Sequence, residues 1–97
     1  MLFSKLKDLT AGVYLSAYED REIESLCIDS RKAINSERLV FFAIKGDRHD
    51  GHVYLDTLYQ MGVRQFVVEK KVPVDSFPEA NILCVDSTVR ALQRISA

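Results

Sequence analysis

The sequence predicts an α/β fold: a small mixed, mainly parallel sheet flanked by helices, in two or three layers. Three observations carry this. Leu39 to Ile44 are six apolar residues in a row, with the length and aromatic content of a strand covered on both faces. A helical stripe follows directly, and then a second β-rich run, Val63 to Glu69. A last short apolar run, Ile82 to Val85, leads into a final helix. A strand–helix–strand–loop–strand–helix order suits parallel strands whose faces are covered by helices.

In chain order, Met1 to Asp8 reads as a short helix, with Leu2, Phe3, Leu6 and Leu9 near helical spacing and Thr10-Ala11-Gly12 ending it. Val13 to Tyr18 alternates as a strand does, with Val13, Leu15 and Ala17 on one side. Glu19 to Glu22 is a charged turn. Ile23 to Ile28 is a second strand in which Leu26 and Ile28 favour burial. Ala33 to Arg38 is a polar connection to the 39–44 strand. Asp50 caps a helix from Gly51 to Met61, whose stripe is Tyr54, Leu55, Leu58 and Met61. Gly62 suits the position just past its end. Lys70 to Ala80 holds Pro73 and Pro78, which remove ladder donors, so it reads as a loop. Ser87 caps a final helix with Val89, Leu92 and Ile95 facing inward.

Residues 1–97 make a single domain with room for one core. With 47% hydrophobic and 28% charged residues the composition is that of an ordinary globular protein. A net charge of −1 gives no overall attraction to nucleic acid or to an anionic membrane. No run approaches the ~18 apolar residues of a membrane helix. The start, MLFSKLKDL, has neither a continuous apolar core nor a cleavage site. Cys27 and Cys84 sit inside apolar runs without a CxxC, which fits two reduced core thiols in a cytoplasmic protein.

Positive charge is local. Two polar loops each follow an apolar run: Asp29-Ser30-Arg31, and Lys45 to His52. If both runs are strands of one sheet, the loops lie at neighbouring carboxyl ends, where open α/β sheets bind ligands. Arg31, Lys45 and Arg48 supply cations, Ser30 a hydroxyl, and Gly46 and Gly51 close backbone approach. Free N–H groups at the start of the Gly51 helix add to the attraction for an anion. By composition alone a solvated turn is the better explanation of such loops. Neither GxxxxGK[ST] nor GxGxxG is present, so the chain by itself carries no standard phosphate-binding fingerprint. His49 and His52 have HxxH spacing, but a metal needs a third ligand, and Asp50 is better used as the helix cap. Ser30 with His49 or His52 would be a nucleophile–base pair lacking the strained elbow that exposes such a serine. A protein-interaction module and a small hydrolase therefore stand beside the anion-site reading.

Taken together, Asp29-Ser30-Arg31, the run Leu39 to His52 (LVFFAIKGDRHDGH), Gly62-Val63 before Phe66-Val67-Val68-Glu69, and Ile82 to Ser87 followed by Ala91-Leu92 resemble the N-terminal domain of the Mur ligases. These enzymes add amino acids to the peptide of UDP-N-acetylmuramic acid (UDP-MurNAc) at the expense of ATP. The resemblance spans about residues 23 to 97. It leans toward the ligase that adds D-alanyl-D-alanine to UDP-MurNAc-tripeptide, in particular the Bacteroidetes-type form fused to alanine racemase, with the tripeptide-forming ligase as the alternative. Glu37-Arg38 stands where the family usually has Gly-Asp, and His49 where an aromatic is common. The resemblance implies a UDP-MurNAc-binding domain excised from a longer cytoplasmic ligase. Ser30 and Arg31 would contact the uridine or its phosphates. Lys45 and Gly46 would lie along the nucleotide with Arg48 beside them, and Asp50, Gly51 and His52 would frame the pocket. It implies no catalytic residue and no cofactor in this domain, with ATP and Mg bound by a central domain of the same chain. The partner is a UDP-MurNAc-peptide, with no nucleic acid and no membrane.

Overall fold

The computed structural model describes residues 1–34, 36–46 and 50–96. Five strands form one sheet: β1 (Val13–Ser16), β2 (Ser25–Cys27), β3 (Leu39–Phe42), β4 (Gln65–Val68) and β5 (Asn81–Cys84). Their spatial order is β1-β5-β4-β3-β2. The pairs β2/β3, β3/β4 and β4/β5 are parallel, and β1 is antiparallel to β5. Helices α1 (Phe3–Thr10), α2 (Leu55–Met61) and α3 (Thr88–Ser96) cover it.

Alternation along the central strands produces two apolar clusters, one per face. Phe41, Phe66, Val68 and Ile82 point to the face covered by Leu55 and Leu58 of α2. Val40, Phe42, Val67 and Leu83 point to the other, covered by Phe3 and Leu6 of α1 and Ala91 of α3. The fold is thus three layers, and β3 and β4 are buried along their whole length because both faces are covered. Gly62, at φ 112°, ends α2 in the left-handed region, and its N–H reaches back to the carbonyls of Leu58 and Tyr59. Arg64 donates to the Tyr59 carbonyl at 2.7 Å and covers the Tyr59 ring at 3.9 Å.

Several expectations are corrected. β2 is three residues, not six, and Cys27 faces the core while Leu26 and Ile28 are about half exposed. Alternate residues of a strand point opposite ways, so Leu26 falls on the face opposite Cys27. At the opposite edge Val13 and Ala17 are exposed, and of that side only Leu15 packs against the core. In α3, Thr88 and Ala91 face inward with Leu92 and Ile95, and Val89 is exposed. In the α2 region Leu55 and Leu58 are buried, whereas Tyr54 and Met61 are partly exposed. That segment begins as a 3-10 turn, Gly51–Tyr54, before becoming α-helical. The 70–80 loop contains a further turn, Val74–Ser76, and buries Phe77 against Tyr59 and Phe66.

The charged turn at 19–22 belongs to a strap that carries the chain from the β1 edge to the β2 edge. It passes the starts of the parallel strands, where two buried amides hold it. Asn81, first in β5, accepts from the Tyr18 N–H at 2.8 Å and donates to the Glu19 carbonyl. Gln65, first in β4, donates to the carbonyls of Glu22 and Glu37 at 3.2 and 2.9 Å.

Candidate functional site at the β2 and β3 carboxyl ends

Asp29 follows β2 and caps the turn Ser30–Lys32 by accepting the Arg31 N–H at 3.0 Å. The same carboxylate takes the Arg31 guanidinium in a fork, Nε at 3.1 Å and Nη2 at 3.0 Å. That guanidinium holds the Asp29 carboxyl below its usual range and is itself raised by the carboxylate. Arg31 is 87% exposed, so one face of a fixed, permanently charged plane stays open to a ligand.

The second loop is built around Asp50. Its carboxylate accepts the His52 N–H at 3.0 Å, the His52 Nδ1, and the Lys70 ammonium at 2.8 Å. The Lys70 ammonium, then His52, hold this carboxyl well below the carboxylate range. Asp50 also bridges to Lys45 through the backbone. His52 is buried, and its Nε2 accepts the Glu69 N–H at 3.0 Å. A ring nitrogen that accepts carries no proton, so the neutral tautomer with hydrogen on Nδ1 is the one that fits. Glu69 in turn accepts from the Thr88 N–H and hydroxyl at 2.7 and 2.8 Å, holding the first turn of α3.

Between the two loops lies a cavity of about 450 Å³. Ser30, Arg31 and Asp29 form one wall, Gly51 and Tyr54 the other, with Ile28, Phe41 and Ile44 between them. Gly51 donates its N–H to the Ile44 carbonyl at 2.9 Å. A Cβ there would stand 2.9 Å from the Ile44 nitrogen and 3.1 Å from the Ala43 Cα, so only glycine lets the loop lie this close to β3.

Of the residues singled out from sequence, the structure brings Ser30, Arg31 and Gly51 onto one cavity. Lys45 and Gly46 are exposed and adjoin it through Ile44, and neither lines it. Asp50 and His52 stand behind Gly51 rather than on the lining. Arg48 and His49 lie outside the described residues. The apolar lining, Ile28, Ile44 and Tyr54, escaped the sequence reading, which assigned Ile28 and Tyr54 to the core. Their closeness to Ser30 and Gly51 in sequence was the available signal. Lys70 carried none, being twenty residues from the carboxylate it meets.

Among the described residues no three His, Cys, Asp or Glu side chains gather as a metal site. Cys27 donates its thiol to the Asp29 carbonyl at 2.9 Å, and burial raises the Cys84 thiol. No described helix is long and apolar enough to cross a membrane.

No family model matches the chain. It is 33% identical over 79 residues to the UDP-N-acetylmuramoyl-tripeptide–D-alanyl-D-alanine ligase of Bacillus subtilis, covering 81% of this chain and 17% of that protein. It is 29% identical over 96 residues to the UDP-N-acetylmuramoyl-L-alanyl-D-glutamate–2,6-diaminopimelate ligase of Cytophaga hutchinsonii, covering 96% and 19%. Among solved structures, the UDP-N-acetylmuramoylalanyl-D-glutamyl-2,6-diaminopimelate–D-alanyl-D-alanyl ligase of Acinetobacter baumannii superposes with a TM-score of 0.79 at 27% identity, over 94% of this chain and 19% of that one. The chain spans about a fifth of the length of these proteins. In sequence and fold it is a Mur ligase N-terminal-domain-like unit. Within that class its likeness runs to the D-alanyl-D-alanine-adding ligases, which supply both the 33% relative and this solved structure.

Proposed function

We propose that this domain holds the UDP end of a UDP-MurNAc-peptide for an ATP-dependent amide ligase of peptidoglycan-precursor synthesis, and that the peptide is the tripeptide to which D-alanyl-D-alanine is added. The observation that carries this reading is the cavity at the β2 and β3 carboxyl ends, with Arg31 and Ser30 facing Gly51 across an apolar floor. A nucleotide needs that combination: an apolar slot for a base or ribose, and a cation with hydrogen-bond donors for phosphate. Ser30, Arg31 and Gly51 are the proposed contacts, Lys45 and Gly46 extend them along the mouth, Asp50 and His52 frame the wall, and Arg48 is kept as a further proposed cation.

The contribution to the ligase would be positional. Gripping one end of a long substrate sets its far carboxylate against the reacting groups and removes part of the entropic barrier. The chain has no phosphate-loop motif, so ATP and Mg belong in this reading to a central domain of the parent, in the cytoplasm. The 29% likeness to a diaminopimelate ligase over nearly the whole chain favours a second reading, in which the parent forms the tripeptide instead. Supplying the parent with UDP-MurNAc-tripeptide and D-alanyl-D-alanine, or with UDP-MurNAc-dipeptide and diaminopimelate, separates the two.

The test of the site is titration of labelled UDP-MurNAc-tripeptide against the wild-type chain and Arg31→Ala. Wild type is expected to saturate and the variant to bind on the order of tenfold more weakly, the loss of one charge-assisted contact. Equal, non-saturating signals from both would overturn the assignment.

A further inference from the structure

The two polar side chains behind the Gly51 wall differ from those in front of it. The Asp50 carboxylate holds three donors: the His52 N–H, the His52 ring and the Lys70 ammonium. The His52 side chain is 4% exposed, and both ring nitrogens are occupied, one by Asp50 and one by the Glu69 N–H. Neither side chain lines the cavity. What they do hold is the backbone on either side of Gly51, which must lie within contact of Ala43 and Ile44 for the wall to exist.

We propose that Asp50 and His52 are positioning residues, a strut that ties the 50–52 loop to the end of β4 and so fixes Gly51 as one wall of the cavity without touching its occupant. This deepens the nucleotide reading of the cavity and rests on it for the affinity effect alone. His52 fixes the wall through the Glu69 N–H, and Asp50 fixes the ring. An imidazole suits the task because it bridges a donor on one element and an acceptor on another within one rigid plane.

The experiment is imidazole and amide NMR on the 15N-labelled chain, with and without UDP, together with His52→Asn and His52→Gln. Asparagine keeps a donor near the Nδ1 position and removes the acceptor facing Glu69, and glutamine places an acceptor at the Nε2 position. In wild type the His52 ring is expected to carry its proton on Nδ1. UDP should shift the Ser30, Arg31 and Gly51 amides and leave the ring nitrogens in place. The Glu69 amide should exchange on the order of tenfold faster in His52→Asn and recover in His52→Gln, with UDP affinity following the same order. Ring nitrogens that move with UDP as far as the Ser30 amide, a proton on Nε2, or Glu69 exchange that is equal in all three chains would overturn the strut. If UDP moves no resonance, the nucleotide reading fails, and the tautomer and the exchange rates still decide the strut. If an altered chain does not fold, the wild-type ring spectra decide it.

Discussion

Asp50 holds three donors from two residues, and its charge makes these contacts depend on pH. An unfolded aspartate titrates near 3.9. In the fold the Lys70 ammonium, followed by His52, lowers that value. A depressed folded-state pKa contributes stability that is fully present above the unfolded value and is lost as pH falls through the folded one. Asp29, lowered by Arg31, acts in the same direction from a more exposed position. Urea midpoints measured from pH 7 downward should therefore fall increasingly steeply below about pH 4. Asp50→Asn should be about 1 kcal/mol less stable at pH 7 and show a shallower acid limb. Identical acid limbs in the two chains would contradict this. Asp50 as a cap was legible from sequence because the group it caps is two residues away. Its partner Lys70, and the Glu69 N–H that meets His52, were not, because the fold alone brings β4 beside the loop.

At the scale of elements, the helices and strands were legible in kind and order but not in extent. Runs such as Ile23 to Ile28 look longer than the ladder they form, since apolar residues continue past the point where a neighbour is available to pair. The inward face of α3 was misread because Thr88, a polar residue, is fully buried. The reason lies across the sheet. Glu69 takes both the Thr88 N–H and its hydroxyl, so burial leaves neither unsatisfied. Glu69→Ala should destabilise the chain by about 1–2 kcal/mol, the cost of a lost cap with a buried donor exposed. Hydrogen exchange should show the loss first in the amides at the start of α3. Uniform loss of protection across the sheet, with α3 no worse than β3, would show that Glu69 does not anchor the helix.

For the molecule as a whole, the sequence indicated a mainly parallel sheet with helices, and left two layers or three undecided. The six apolar residues from Leu39 could not say which neighbour covers which face. Alternation assigns them: Phe41 to the α2 side, Phe42 to the side of α1 and α3. Because both clusters meet through the same short strands, damage to one is not contained. Phe66 is fully buried, packs on Phe77 and belongs to a central strand. Phe66→Ala should cost about 3–5 kcal/mol, a large share of the ~5–15 kcal/mol available to a small domain. Thermal unfolding should report one transition at a markedly lower midpoint, and a shift of only a degree or two would argue that the two faces are independent. The cavity was harder to foresee than the fold. Its polar residues announce themselves in two loops, but its floor is made of residues that any reading of hydropathy assigns to the interior.

The antiparallel edge strand has a bearing on how this chain comes to be. Val13 is aligned with Cys84, and Tyr14 with Leu83, so the first strand of the sheet has its hydrogen-bonding companion in the fifth. Until β5 is in place β1 is an unpaired ribbon, tethered by a strap whose own anchors, Gln65 and Asn81, lie in the later strands. Of the sheet's pairings this one spans the greatest length of chain, and closing contacts so distant is what makes such a sheet slow to complete.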